Sequence, residues 1–128
     1  MENMDIGDKL TIGKASVYKK TYYYNKFFDR LPDAVKEEIQ NLCTFYSAKL
    51  HCVFSVKFRE NGDVYFETQA EDWDMNYDEI GASLDMNKLA RERRELFLSL
   101  KMWYLVFVLG VAPEDVQKRL LEDESLDG

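Results

Sequence analysis

Asp72-Trp73-Asp74-Met75-Asn76-Tyr77-Asp78 puts an oxygen-bearing side chain at every second position, the way the first half of a calcium loop presents its ligands. The match then fails. Tyr77 stands where the sharp turn needs glycine, and Ser83 stands where a bidentate glutamate should close the shell. Asp72, Asp74, Asn76 and Asp78 are therefore weak metal candidates, and the plainer reading is a solvated acidic loop leading into a helix. Asp78 and Glu79 suit that helix start, where the dipole favours negative charge. The single histidine, His51, lies beside Cys52 at the start of a strand pattern. Strand neighbours point to opposite faces, so the two do not read as a base and its nucleophile. No Gly-x-Ser-x-Gly, phosphate-binding loop, dinucleotide glycine set or His-Glu-x-x-His occurs, so the residues lean away from an enzyme and imply no cofactor.

Two charged segments oppose each other. Between Arg59 and Lys88 there are nine acids and no base; from Lys14 to Arg30 there are five bases and one acid, interleaved with Tyr18, Tyr22, Tyr23, Tyr24, Phe27 and Phe28. The second pattern has the chemistry of a single-stranded nucleic-acid platform. Its plainer reading is an edge strand with aromatics turned inward and lysines protecting the edge. Further along, Lys88, Arg91 and Arg94 step by three and share a helical face, either a partner contact or a solvated stripe braced by Lys88–Glu92 and Arg91–Glu95. Together with Trp73, Tyr77, Asp78 and Glu79, these three are the interaction candidates.

The elements that would position these residues are readable from periodicity. Pro32 opens a helix to about Lys49, with Val35, Ile39, Leu42, Cys43, Tyr46 and Leu50 on one stripe. Cys52, Phe54, Val56 and Phe58 then alternate with polar or smaller residues, as do Val64, Phe66 and Thr68 after Glu60-Asn61-Gly62-Asp63. A two-residue loop would pair Val56 with Glu67, setting a charge on the apolar face. A three-residue loop with Gly62 left-handed pairs Val56 with Phe66 and Phe58 with Val64, and is preferred. A long helix is expected from about Asp85 to Leu109, then a short one from Pro113 to Glu122. Lys9–Ile12 and Tyr18–Asn25 suit strands, and Asn25–Leu31 a single helical turn. The fold class is α+β: a small antiparallel sheet built around the hairpin, packed on two main helices, with a short C-terminal helix.

The chain has 128 residues, 46% hydrophobic, with formal net charge −7. This fits one domain, expected over 1–121 with 1–8 as a flexible lead-in and 122–128 as an acidic flexible tail. Its negative field argues against duplex DNA. The first eight residues carry no signal-peptide pattern, and the longest apolar run, Met102–Leu109, is too short for a membrane span. Cys43 and Cys52 read as reduced, buried thiols, so the expected location is the cytoplasm, away from membranes.

The run Tyr18-Lys19-Lys20-Thr21-Tyr22-Tyr23-Tyr24-Asn25, with Phe28 and Leu31-Pro32, resembles the opening of an uncharacterised family of small proteins from anaerobic Gram-positive bacteria. Tyr77-Asp78-Glu79-Ile80-Gly81 and Arg94-Glu95-Leu96-Phe97 resemble its second half, so the likeness spans about residues 15–110. The chain departs from the pattern at Leu50-His51, where the resemblance leads one to expect glycine. The resemblance implies a bacterial origin and brings no activity or site residue. The functional expectation is a non-catalytic interaction protein that forms a homodimer or binds another protein. The alternatives are a small-molecule or metal binder using an aromatic and acidic pocket around Trp73 and Tyr77, and single-stranded nucleic-acid contact through residues 14–30.

Overall fold

A computed structural model describes residues 9–127. The expected lead-in at 1–8 lies outside the described residues. The elements run β1 (Thr11–Ser16), β2 (Thr21–Tyr24), a 3-10 turn (Lys26–Phe28), α1 (Asp33–Leu50), β3 (Val53–Phe58), β4 (Val64–Gln69), α2 (Glu79–Glu92), α3 (Arg94–Phe107), a second 3-10 turn (Pro113–Asp115) and α4 (Val116–Asp127). The four strands form one antiparallel sheet in the order β2-β1-β3-β4. This is the α+β class expected from the sequence.

The hairpin has the three-residue loop. Phe58 pairs with Val64 and Val56 with Phe66, Gly62 is left-handed at φ +94°, and the Arg59 N–H bonds the Asp63 carbonyl at 2.7 Å. Only this register keeps Phe54, Val56 and Phe58 on one face with Phe66, and those three strand residues are buried. The same face continues across the sheet, since Val56 pairs with Gly13 and Gly13 with Tyr24. The opposite face is polar: Tyr23, Lys14, Ser55 and Glu67 form one cross-strand row, and Lys57 reaches Glu67 at 2.7 Å.

Helices cover the inner face. Ile39, Leu42 and Cys43 of α1 and Leu89, Leu96, Leu100 and Tyr104 of α2 and α3 join the strand residues in a single core. Gly13 lies tight between β2 and α1: a Cβ there would lie 2.6 Å from Tyr22 Oη and 3.0 Å from Ile39 Cγ2. Cys43 and Cys52 are both buried and unpaired. Burial pushes their thiols up, to about 12 and about 11 respectively.

One consequence can be measured at β2. Among the described residues Tyr22 Oη is buried with no hydrogen-bond partner, so the hydroxyl has lost water and gained nothing. Tyr22→Phe is expected to leave the denaturant midpoint unchanged or raise it; a clear fall would reveal a bond the hydroxyl makes.

Three expectations are corrected. The long helix begins earlier, at Glu79, and ends at Phe107. It is broken at Arg93, whose φ and ψ of −104° and 27° leave the helical basin, so the second main helix is in fact two, α2 and α3. Arg91 and Glu95 consequently sit on different helices. The first strand runs from Thr11 to Ser16 rather than over Lys9–Ile12, carrying Gly13 inside it. The short C-terminal helix, α4, runs over Val116–Asp127 after a 3-10 turn, rather than over Pro113–Glu122, with Asp123 ion-paired to Lys101 at 2.7 Å. Among the described residues no helix is long and apolar enough to cross a membrane.

Candidate functional site

α1 stops at Leu50 because the next residue turns left-handed: His51 has φ 58° and ψ 66°, and its N–H still bonds the Ser47 carbonyl. The Cys52 N–H also returns to Ser47, at 3.0 Å. Helices commonly close this way, but with glycine, since a side chain in this conformation is strained. Here the strained position carries the only histidine of the chain. It is the cap of α1 and precedes β3, so the alternation of strand faces, which set it apart from Cys52, does not govern it.

The partner is Asp74. His51 Nδ1 faces Asp74 Oδ2, and the Asp74 side chain has no exposed surface while that of His51 is 35% exposed. Tyr18, in the β1–β2 turn, donates its hydroxyl to the same Oδ2 at 2.7 Å. That hydroxyl accepts the Glu71 N–H at 3.1 Å. The second carboxylate oxygen takes the Asn76 N–H at 2.8 Å, and the Asp74 N–H closes on the Glu71 carbonyl at 3.0 Å. Tyr18 packs edge-on against both the His51 ring and the Trp73 ring, each at 5.7 Å.

The electrostatics follow from this cradle. Burial pulls the Asp74 carboxyl upward, and the hydrogen bonds from Tyr18, His51 and the Asn76 N–H outweigh it, holding the group below its ordinary range. Tyr18 moves the other way: burial and then its bond to Asp74 push the hydroxyl up, keeping it a donor. An ionised carboxylate can only accept, so His51 carries its proton on Nδ1. In a neutral ring Nε2 then holds the free lone pair, the orientation a buried aspartate imposes on a catalytic histidine. The adjacent thiol does not complete such a site. Cys52 is fully buried, and burial, followed by the charge of Asp74, moves it away from the thiolate. What the cluster does structurally is definite: it clamps the 70–76 loop to the end of α1 and to the β1–β2 turn.

The residues singled out from sequence are distributed around this clamp. Of the calcium-like set, Asp74 turns inward to His51 and Tyr18, while Asp72, Asn76 and Asp78 are exposed. Among the described residues no group of three or more His, Cys, Asp or Glu could hold a metal ion. Trp73 faces solvent, whereas Tyr77 turns to the core and shares a 2.6 Å hydrogen bond with Thr68 Oγ1. Asp78 stands at the N-cap position of α2 without a side-chain capping hydrogen bond, and Glu79 is the first residue of that helix. Lys88 and Arg91 stay on exposed α2, and the break at Arg93 separates them from Arg94 on α3. In the basic segment Tyr22 is partly buried while Tyr23 is exposed beneath Lys14, which lies 5.8 Å from its ring centre.

Sequence reasoning missed His51 and Tyr18. The signal available for the first was a histidine at a helix end where glycine was expected.

No curated protein and no solved structure matches the chain. The model of one family does match, over residues 9–112, which takes in all four strands, the clamp and all three main helices. The chain therefore belongs to DUF6145, a family of unknown function.

Proposed function

We propose that this protein is a non-catalytic interaction module that pairs with a second copy of itself through the surface carried by residues 72–84. One observation carries the reading. Trp73, Met75, Ile80 and Leu84 are 68%, 96%, 76% and 65% exposed, yet Asp74, between the first two, is sealed inside. A loop held this firmly from within while presenting Trp and Met outward is preorganised, and preorganisation lowers the entropic cost of binding. Trp and Met are also types enriched where interfaces bury their centres.

Charge points to the partner. The surface is acidic at Asp72, Asp78 and Glu79, and the Tyr18–Asp74 bond sets it beside the basic turn that holds Lys19 and Lys20. Opposite charges side by side make a patch that is its own complement across a two-fold axis, the commonest symmetry of small assemblies. The two unpaired buried thiols are compatible with a reducing compartment, and the cytoplasm is the location we assign.

The test is mass by light scattering behind size exclusion. At tens of micromolar the protein is expected at twice its chain mass. Trp73→Ala with Met75→Ser should weaken association at least ~10-fold, the effect of losing a central contact, with circular dichroism unchanged because both side chains point outward. A wild-type monomer, or a variant that dimerises as well as the wild type, overturns the proposal.

A further inference from the structure

A second surface lies between α3 and α4, made of residues other than those of the one above. Lys101 is buried there, and one ammonium serves two carboxylates: Asp63 from the β3–β4 turn and Asp123 from α4, the latter at 2.7 Å. Both carboxylates hold the Lys101 charge, although burial opposes it. Asp63 alone neutralises the lysine. Asp123 is an addition, brought by a helix that lies beyond the residues matched by the family model.

Around this pair is a cleft of about 600 Å³ between α4 and the body of the domain. The body side carries Arg59, Arg94 and Lys101 against the single carboxylate Asp63, over an apolar floor that includes Phe97 and Leu98. The segment seated opposite lines the cleft with Gln117, Leu120, Leu121 and Asp123, and it belongs to a stretch of opposite charge, since the sequence over 113–128 contains six acids and two bases. α4 does not seal the cleft, since Leu98 and Leu121 both remain exposed at it.

We propose that this cleft is a groove for an acidic amphipathic helix of a partner protein, with α4 as the resident occupant that the partner helix displaces. Helix-in-groove binding needs an apolar floor and charges that fix orientation, and both are present. Departure of α4 leaves Lys101 paired with Asp63, so opening strands no buried charge, the step that makes breaking most buried pairs costly. Tethered through residues 108–112, α4 competes at a high effective concentration, so a partner helix must bind better than α4 to enter.

The experiment uses the full chain and a fluorescein-labelled synthetic peptide of residues 113–128 as the acidic helix, read by anisotropy. Asp123→Lys, which sets α4 against Lys101, is expected to bind the peptide at least ~10-fold more tightly than the wild type does, about 1.4 kcal/mol. Asp123→Asn should move the same way by less, and serves if the lysine variant folds poorly by circular dichroism. Adding Arg94→Glu to either should reverse the gain. Peptide binding that is absent in every variant overturns the proposal, as does equal binding of a scrambled peptide. A mass of the Asp123→Lys variant above that of the wild type at equal concentration, without peptide uptake, overturns it too, since the groove would then be filled by α4 of another copy.

Discussion

Phe58→Ala is expected to lower the free energy of unfolding by about 3–5 kcal/mol, the range for truncating a sealed aromatic in a packed core. Phe58 is 1% exposed, and its ring lies 5.2 Å from Phe28 and 4.6 Å from Tyr104. It is the point where the hairpin, the 3-10 turn after β2 and α3 meet. A methyl there would leave a void bounded by three separate elements, none of which can collapse into it alone. The Gly62 turn rests on Tyr104 from the far side, where a Cβ would already be 2.9 Å from Tyr104 Cδ1, so the turn cannot follow the ring inward. A domain stabilised by about 5–15 kcal/mol loses a large share of that. Chemical denaturation should show a lower midpoint with unchanged slope. Phe27→Ala, one residue before Phe28 but 70% exposed, should shift the same curve by no more than about 0.5 kcal/mol. Similar effects from the two would mean that the core is drawn in the wrong place.

Asp74→Asn is the second substitution with a large expected effect, and pH is its signature. The Asp74 oxygens accept from Tyr18, His51 and the Asn76 N–H. An amide offers one acceptor and sets an N–H₂ against a donor, so at least one of the three bonds is lost. At pH 7 the melting temperature should fall by roughly 5 °C or more, and proteolysis within 70–78 should quicken. Asp74 titrates lower in the folded chain than unfolded. A carboxyl shifted this way contributes fully above its unfolded value near ~3.9, and the contribution is lost as pH falls through the folded one. The wild-type melting temperature should therefore drop as pH goes below about 4. Asp63 adds to that limb: burial raises its carboxyl, and bonds to Lys101 and Asn61 bring it below the ordinary range. Asp74→Asn should make the limb shallower without removing it, because the Asp63 share remains. An acid limb identical to that of the wild type would show that the carboxylate is not clamped.

How much of this was legible beforehand depends on what each residue had to oppose. The hairpin register could be decided because the wrong one places Glu67 against Val56, a penalty visible in one pair of letters. α1 was legible because Pro32 marks its start and its apolar stripe is unbroken. The break at Arg93 was not, since Ala90-Arg91-Glu92-Arg93-Arg94-Glu95 contains no Gly or Pro and every residue favours helix. Gly13 hid the true extent of β1. Glycine inside a strand reads as interruption, and here it answers to the approach of Ile39 and Tyr22. The clamp was illegible for a different reason. His51 and Asp74 are 23 residues apart and Tyr18 and Asp74 are 56 apart, and no periodicity links a helix cap, a hairpin turn and an acidic loop. The sequence did show an acidic segment of unusual length; the structure shows that one of its acids faces inward and fixes how its apolar residues face out.

In the proposed dimer two copies meet at the clamped 72–84 surface, and amide hydrogen exchange as a function of protein concentration tests this most directly. Exchange within 72–84 and around Lys19–Lys20 should slow as concentration rises through the range where mass doubles, with the rest of the chain unchanged. Protection that is independent of concentration, or that develops instead around Phe27 and Phe107, would contradict it.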